Sequence, residues 1–252
     1  MKEFAQKIID FEVPEGKVGI IYMGQAGFIL KDGKGRLIAY DLYLSNCCER
    51  EFGFKRITAM LLDPEDIAFD AIFCSHAHFD HLDPDSIEGM LANGKSRVYT
   101  PQDGMELLEQ MGIKGGIKIA KNQSIDLFGG EVKASFVFCD HGTEAPYAVG
   151  TVFEIEGKRI YFAGDTCYRP EKLVNPKTVG CDFVSFPING AYGNLNEEEG
   201  AMLAEKLGAD LSVPSHFWTF AEHGGDPAKF MEAAKKRDVN YMLMMQGEMI
   251  TI

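Results

Sequence analysis

Short apolar runs separated by turn residues make up the first part of the chain. They predict three strands of a meander, at residues 18–23, 27–31 and 36–43. The Asp and Gly residues of 32–35 favour a tight reversal between the last two of these strands. Residues 2–10 predict a short amphipathic helix, and 58–67 predict a short helix or a turn. The charged segment 44–56 shows no periodicity, so we expect a long irregular loop there.

Helices and strands alternate through the rest of the chain. Helices are predicted at 84–92, 101–112, 197–207 and 227–237, with a further helix after Asp165. Strands are predicted at 97–100, 117–119, 124–127, 131–139, 148–155, 159–163, 182–186, 211–214, 241–245 and 249–252. No repeat of fixed period and no flexible linker interrupts this order, so we expect residues 1–252 to form a single domain. Two sheets packed face to face with helices outside would accommodate it, in the α/β (α+β) class.

Three histidines and an aspartate stand within six positions, directly after the short strand expected at 70–73. Residues two apart on a strand point to the same side, so His76 and His78 can share one metal ion. A turn would bring Asp80 and His81 back toward a neighbouring point. A packed core would instead require separate hydrogen-bond partners for three imidazoles within one turn. The segment is therefore interpreted as a metal site.

Three further metal-competent residues each follow a predicted strand. They are His141, Asp165 and His216. Any one of them alone is more often a structural residue with satisfied hydrogen bonds. Because all three occur together with the histidine cluster, we interpret them as additional metal ligands.

The whole series resembles the metal ligands of the metallo-β-lactamase superfamily: His76-Ala77-His78-Phe79-Asp80-His81, His141, Asp165 and His216. The resemblance runs from residue 18 to the C-terminus. It implies an αββα four-layer sandwich that carries two metal ions at one edge of its two sheets. His76, His78 and His141 would hold one ion. Asp80, His81 and His216 would hold the other ion, and the carboxylate of Asp165 would bridge the two. Imidazole and carboxylate ligands suit Zn²⁺, which we expect, and also Mn²⁺ or Fe²⁺.

Shorter motifs resemble the branch of that superfamily that contains L-ascorbate-6-phosphate lactonase and related metal-dependent hydrolases. They occupy segments 23–28, 69–72, 161–166, 208–210 and 214–216. The site chemistry also indicates hydrolysis, because two metals about 3.5–4 Å apart can hold a bridging hydroxide that attacks a carbonyl or phosphoryl centre. Asp80 would orient this hydroxide and accept its proton. We therefore expect a metal-dependent hydrolase that opens a lactone or cleaves a related ester or phosphoester of a small molecule.

Polar residues near the expected centre are candidates for substrate contacts. Asn189, Tyr192 and Asn194 lie in a glycine-containing loop after a strand, and such loops often line pockets. His223 is a further candidate to contact substrate or to protonate the leaving group, although a solvated loop histidine is the preferred interpretation. Asp41 ends a strand, where it would hydrogen-bond a ligand imidazole or serve as a plain turn residue. A phosphate group would need a cation, for which the loops offer Arg50, Lys55, Arg56, Arg169 and Lys172.

Composition limits the partners of the protein. The chain has 252 residues, 46% hydrophobic and 25% charged, as in ordinary globular proteins. A formal net charge of −13 disfavours nucleic acid, because phosphate backbones are bound through Lys and Arg. We find no apolar stretch long enough for a membrane span and no signal peptide in the charged N-terminal segment. The six cysteines lie mostly in apolar segments, so we predict reduced thiols and a cytoplasmic protein. A homo-oligomer is left open.

Three other functions compete with a small-molecule hydrolase. A phosphodiesterase or nuclease of the same fold is disfavoured by the acidic charge and by the lack of an added nucleic-acid-binding domain. A di-iron redox protein of the superfamily would usually carry glutamate at the position of His78 and would need an electron donor. A non-catalytic metal-binding protein is disfavoured because every ligand position is filled.

Overall fold

Two β-sheets pack face to face between two layers of helices in the computed structural model of the protein, which describes residues 2–252. The first sheet contains, in spatial order, Met249–Thr251 (β13), Val18–Gly24 (β1), Gly27–Asp32 (β2), Leu37–Tyr40 (β3), Ala71–Phe73 (β4), Val98–Thr100 (β5) and Gly116–Lys118 (β6). The second contains Leu211–Ser215 (β12), Phe183–Pro187 (β11), Lys158–Phe162 (β10), Gly150–Ile155 (β9), Val132–Val137 (β8) and Ser124–Leu127 (β7). This is the αββα sandwich that the sequence predicted.

Seven α-helices lie within residues 2–252. They are Lys2–Asp10 (α1), Cys47–Phe52 (α2), Ile87–Met90 (α3), Gln102–Gln110 (α4), Pro170–Leu173 (α5), Glu197–Leu207 (α6) and Pro227–Lys236 (α7). Apolar side chains of α1, α3 and α4 cluster with the outer face of the first sheet, and those of α5, α6 and α7 with the outer face of the second. Within the same residues, we find no helix with the length and apolar character that crossing a bilayer requires.

The central strands are buried on both faces, which explains their nearly continuous apolar sequences. Successive side chains of a strand point to opposite sides of the sheet. In β2, Phe28 and Leu30 therefore join the core between the sheets, while Ile29 joins the cluster formed with α1, α3 and α4. Aromatic rings fill the middle of the sandwich. The ring of Phe162 stacks on Tyr40 with the centroids 4.4 Å apart, and its centroid lies 5.0 Å from that of Phe28.

Parallel pairing brings the ends of several strands to one edge of the sandwich. β3 through β6 pair in parallel in the first sheet, and β10 through β12 do so in the second. Polar residues that directly follow such strands therefore meet at the carboxyl edge, where open α/β sheets bind their ligands. Asp41 follows β3, residues 74–81 follow β4, Asp165 follows β10, and His216 follows β12.

Two predicted segments differ from the observed structure near this edge. The segment 44–56, expected to be irregular, contains α2, which ends where Gly53 adopts a φ of 76°. The helix predicted at 84–92 is reduced to α3. Its first turn is replaced by turns around Asp83, whose carboxylate accepts hydrogen bonds from the backbone N–H of Asp85 and the hydroxyl of Ser86. A side chain that bonds the local backbone in this way competes with the helix.

Other predicted strands are shorter than expected. The strand predicted at 36–43 ends at Tyr40, because Asp41 adopts a φ of 46° and leaves the extended conformation. Residues 241–245 form only one isolated bridge, between Tyr241 and Ser212. The segment 58–67, predicted as a short helix or a turn, forms turns. None of these differences alters the order of the elements.

Phe162→Ala is expected to lower the free energy of unfolding by about 3–5 kcal/mol, because it leaves a cavity between the two sheets. Urea denaturation of the metal-free protein measures the loss. Phe52→Ala is the matched control, since that ring is 55% exposed, and it should change the free energy of unfolding by about 0.5 kcal/mol or less. Equal effects of the two substitutions would contradict the assignment of Phe162 to the core.

Candidate metal centre

Loops at the carboxyl edge bring seven predicted metal-competent residues into one cluster. They are His76, His78, Asp80, His81, His141, Asp165 and His216. All except His78 are buried. The loop that carries Asp165 depends on Gly164, which has a φ of +68° and would place a Cβ atom 3.0 Å from the carbonyl oxygen of Val149. Glycine therefore permits the close approach that turns Asp165 toward the histidines.

One half of the cluster is made of imidazoles alone. A nitrogen from each of His76, His78 and His141 lies within 4.8 Å of the others. Nε2 of His141 is 3.2 Å from Nδ1 of His78. Nδ1 of His76 contacts the hydroxyl of Ser75 at 2.9 Å, which leaves its Nε2 directed into the cluster.

The other half combines imidazoles with carboxylates. Nε2 of His216 lies 3.2 Å from Oδ2 of Asp80 and 3.3 Å from Nε2 of His81. Asp165 lies between the halves. Its Oδ1 is 3.3 Å from Nε2 of His81, and its Oδ2 is 3.1 Å from Nε2 of His216 and 3.8 Å from Nε2 of His141. One carboxylate therefore touches residues of both groups.

Several buried atoms of this cluster lack a hydrogen-bond partner among the described residues. They are Nε2 of His76, Nδ1 of His141 and Oδ1 of Asp165. Unpaired polar atoms are costly in a protein interior, and imidazole nitrogens that face one another at 3.2–3.3 Å do not satisfy each other unless a proton or a cation lies between them. The donor set of imidazole and carboxylate fits divalent cations such as Zn²⁺, Mn²⁺ or Fe²⁺.

The two halves also differ in their electrostatics. Burial, reinforced by the neighbouring imidazoles, holds the pKa of His76 well below its usual value and lowers the pKa of His141. These rings are therefore neutral at pH 7, as coordination requires. At His81, burial also acts to lower the pKa, but the carboxylates of Asp165 and Asp80 outweigh it and raise the pKa well above the usual value. The carboxylates of this half therefore favour positive charge beside them.

Asp41 makes the hydrogen bond suggested by its position. Its Oδ2 accepts from Nδ1 of His81 at 2.8 Å, and its two carboxylate oxygens accept from the backbone N–H and the hydroxyl of Ser75, each at 2.7 Å. The contact orients the ring of His81, because it engages Nδ1 and directs Nε2 toward the cluster. A buried carboxylate with three donors is a positioning group for the metal-binding loop.

Gln25 is the residue that sequence reasoning missed. Its side-chain nitrogen lies 2.8 Å from Oδ2 of Asp80, 2.9 Å from Nδ1 of His223 and 3.1 Å from Nε2 of His216. Its backbone carbonyl accepts from the N–H of His216 at 2.7 Å. Two signals were available: Gln25 lies in the resembling segment 23–28, and it is a polar residue at a glycine-containing turn between two apolar strands.

Left-handed backbone conformations concentrate at this centre. Gln25, Asp41, Tyr192 and His216 have φ values of 54°, 46°, 53° and 63°. Such conformations are uncommon for residues other than glycine and are maintained only where the surrounding structure compensates. At Gln25 the backbone contacts with His216 and with the Thr219 hydroxyl, at 3.0 Å, supply that compensation.

His223 is buried, with 5% of its surface exposed, so the preferred prediction of a solvated loop histidine is wrong. Its ring is parallel to that of His216, with centroids 5.0 Å apart. Burial, together with the charge of His216, lowers its pKa to about 4. His223 also groups with Asp80 and His216 as a third set of metal-competent atoms within 4.8 Å.

The glycine-containing loop contributes two of its three candidate residues to the site. Asn194 donates from Nδ2 to Oδ2 of Asp165 at 2.6 Å and thereby orients that carboxylate. Tyr192 lines the adjoining cavity. Asn189 does not line the cavity, and its side-chain amide lies 3.4 Å from the carbonyl of Ala191.

A cavity of about 320 Å³ opens directly over the cluster. Its volume is at the lower end of the range of about 300–1,000 Å³ that is usual for ligand pockets. It is lined by Cys48, Phe52, Phe54, Ala77, His78, Phe79, Asp80, His141, Glu144, Asp165, Tyr192, Asn194, His216 and His223.

Known proteins are similar to this chain in sequence and in fold. The family model described as "Beta-lactamase superfamily domain" matches residues 52–217. A UPF0173 metal-dependent hydrolase from Geobacillus thermodenitrificans is 32% identical over 183 residues, or 68% of this chain and 77% of its own. Another, from Deinococcus radiodurans, is 28% identical over 232 residues, or 90% of this chain and 96% of its own. Igni18, a metallo hydrolase from the archaeon Ignicoccus hospitalis, has a TM-score of 0.75 at 22% identity, over 94% of this chain and 98% of its own.

Asp41→Asn is expected to weaken metal binding by about 10–100-fold, because the amide cannot accept from all three donors that the carboxylate holds. Competition with a chromophoric zinc chelator measures the affinity. Asp126→Asn, at an exposed position on the edge strand β7, is the control and should leave the affinity unchanged. An unaltered affinity in Asp41→Asn would contradict a positioning role for this residue.

Proposed function

The chain belongs to the β-lactamase superfamily, as a UPF0173-type metal-dependent hydrolase, and we propose that it opens a lactone or cleaves a related ester or phosphoester of a small molecule. The observation that carries the proposal is the contact of one carboxylate, Asp165, with both groups of metal-competent residues. Such an arrangement suits a two-metal hydrolytic centre better than a purely structural one, because structural sites are closed and this one borders a cavity.

In the proposed enzyme, His76, His78 and His141 would hold one divalent ion. Asp80, His81 and His216 would hold the second, with Asp165 within reach of both groups. Zn²⁺ is the expected metal, with Mn²⁺ or Fe²⁺ as the alternatives that metal analysis would reveal. When bound, the two ions lower the pKa of water so that it is nucleophilic at neutral pH, and they polarise the scissile bond.

Side chains of the protein supply orientation and proton transfer. Asp80 orients the attacking water through its carboxylate and accepts the proton that the water loses. Gln25 holds that carboxylate through the contact of 2.8 Å, and Asn194 holds Asp165 through the contact of 2.6 Å. Groups fixed in this way need little reorganisation during the reaction, which is the condition for effective catalysis by position and charge.

Two side chains on the cavity wall are proposed to contact the substrate. Tyr192 and His223 lie side by side, with their ring centroids 5.4 Å apart. His223 is the nearer of the two to the metal cluster, because its ring also stacks on His216. We assign it to the substrate's leaving group, and Tyr192 to the part of the substrate nearer the cavity mouth.

His81→Ala is expected to abolish hydrolysis and leave the fold intact, because the residue lies in a loop at the sheet edge. Elemental analysis of the purified protein, combined with a panel of lactones, carboxylic esters and phosphodiesters, measures both metal content and activity. Glu232→Ala, on the exposed face of α7, serves as the control. If His81→Ala retained activity and a full complement of metal, this would contradict the two-metal proposal.

Gln25→Ala is expected to lower kcat by about tenfold or more, since a hydrogen bond to a charged group contributes roughly 1.5–3 kcal/mol. Metal content should not change, and KM should change less than kcat. Gln246→Ala is the matched control, because that side chain bonds the carbonyls of Met23 and Ala59 outside the centre. A variant with normal kcat would show that Gln25 does not position Asp80.

A further inference from the structure

Aromatic side chains form one continuous wall of the cavity. The ring of Phe52 lies 5.6 Å from that of Phe79 and 6.1 Å from that of Phe54, measured between centroids. Phe54 in turn lies 5.8 Å from Tyr192 and 5.4 Å from His223. The wall therefore runs from the mouth of the cavity to the ring that stacks on His216.

The outer part of this wall is exposed to water. Phe52 and Tyr192 are 55% and 56% exposed, although large apolar side chains are normally covered. Two such exposed rings on the wall of one cavity indicate a surface that a ligand covers. An apolar group placed against them would remove their area from water, which is favourable in proportion to that area.

The loop that carries the aromatic wall is held against the metal-binding loop. The buried carboxylate of Asp83 accepts from the N–H of Leu44 at 2.9 Å and from the hydroxyl of Ser45 at 2.7 Å. Arg56 donates to the carbonyls of Tyr43 and Ser45, each at 2.9 Å. These contacts hold the chain on both sides of α2. The wall is therefore formed before a ligand binds, and binding requires little additional ordering of the protein.

No lysine or arginine from residues 2–252 lines the cavity. Glu144 is its charged residue outside the metal cluster and adds negative charge at the rim. Three of the five basic side chains considered as phosphate ligands are engaged elsewhere. Arg50 pairs with Asp85, Arg56 lies 4.1 Å from the centroid of the Tyr43 ring, and Arg169 pairs with Asp140 at 3.3 Å.

From these observations we infer that the natural substrate is a small uncharged molecule that places an aryl or alkyl group against the wall of Phe52, Phe54, Phe79 and Tyr192. A phosphorylated or carboxylated sugar-like substrate does not fit this wall, because its anionic substituent would meet aromatic rings and Glu144. Arg169, which lines the adjoining cavity, is paired with Asp140. This inference rests on the proposed hydrolase function and specifies its substrate class. The volume of about 320 Å³ confines the substrate to a compact molecule.

Three aryl acetates that differ only in the substituent at the 4-position of the ring test the inference: phenyl acetate, 4-acetoxybenzoate and 4-acetoxyphenyl phosphate. Their kcat/KM values with the metal-loaded protein are divided by their rates of alkaline hydrolysis, which removes differences in intrinsic reactivity. The neutral ester is expected to exceed both anionic esters by about tenfold or more, since tenfold corresponds to ~1.4 kcal/mol of differential binding. An anionic ester that equals or exceeds phenyl acetate would overturn the substrate class and leave the hydrolase proposal standing.

Substitutions in the wall give a second readout. Phe52→Ala should raise KM for phenyl acetate about three- to tenfold with kcat and metal content unchanged, because aromatic contacts contribute roughly 0.5–1.5 kcal/mol. Phe52→Leu, which keeps apolar area, should recover part of the loss. Tyr147→Ala is the matched control, as that ring is 51% exposed and does not line the cavity. Equal KM values for Phe52→Ala and the control would overturn the inference.

Charge at the rim is tested separately. Glu144→Lys should raise kcat/KM for the two anionic esters several-fold at low ionic strength and leave phenyl acetate unaffected. Glu232→Lys, on α7, is its control for a general change in net charge. An identical response of all three esters to Glu144→Lys would contradict a role for rim charge in the choice of substrate.

Failure of the proposed function is distinguishable from failure of this inference. If the metal-loaded protein hydrolyses neither these esters nor any member of the lactone and phosphodiester panel, the hydrolase proposal falls. Calorimetry of 2-phenylethanol binding then tests the ligand class independently of any hydrolytic activity. Binding that Phe52→Ala weakens and Tyr147→Ala does not would support an apolar pocket, whereas no binding to the wild-type protein would overturn it.

Discussion

One buried carboxylate joins the two halves of the metal centre, and the rest of the site is arranged around it. Asp165 contacts His81 and His216 on one side and His141 on the other. It reaches this place because β10 ends at the carboxyl edge and Gly164 allows the chain to pass close to Val149. Burial acts to raise the pKa of Asp165, but the imidazoles of His216 and His81 outweigh it and keep the pKa well below the usual value. The Asp165 carboxylate is therefore ionised where the two groups of metal-competent residues meet.

The backbone around Asp165 adopts unfavourable conformations, and buried hydrogen bonds compensate for their free-energy cost. Gln25, Asp41 and His216 all have positive φ angles, and each takes part in a buried hydrogen bond within the centre. The two sheets maintain these conformations, because their aromatic core fixes the strand ends from which the loops start. Rigid elements that carry strained loops are the usual way in which a site is held in one geometry.

Charge and apolar surface are separated within the same cavity. Its floor consists of imidazoles and carboxylates, whereas its wall consists of aromatic rings from α2, from the following loop and from the glycine-containing loop. In the proposed enzyme, the floor would activate water and polarise a bond, and the wall would select the attached group. The division also places His223 at the boundary, since its ring contacts both His216 and Phe54.

The sequence alone identified the residues able to bind metal, because His76, His78, Asp80 and His81 follow one strand at short spacing and each remaining candidate follows a strand of its own. The order of periodic segments was compatible with two packed sheets with helices outside, and the resemblance carried by the metal-binding series implied the αββα sandwich. Gln25, the burial of His223 and the aromatic wall could not be predicted. Their partners lie up to 198 residues away in the chain, as for Gln25 and His223, and no local pattern encodes such contacts. Only the packing of loops at the carboxyl edge decides which side chains surround the metals, because each loop's position depends on the strands and turns that the whole sandwich holds in place.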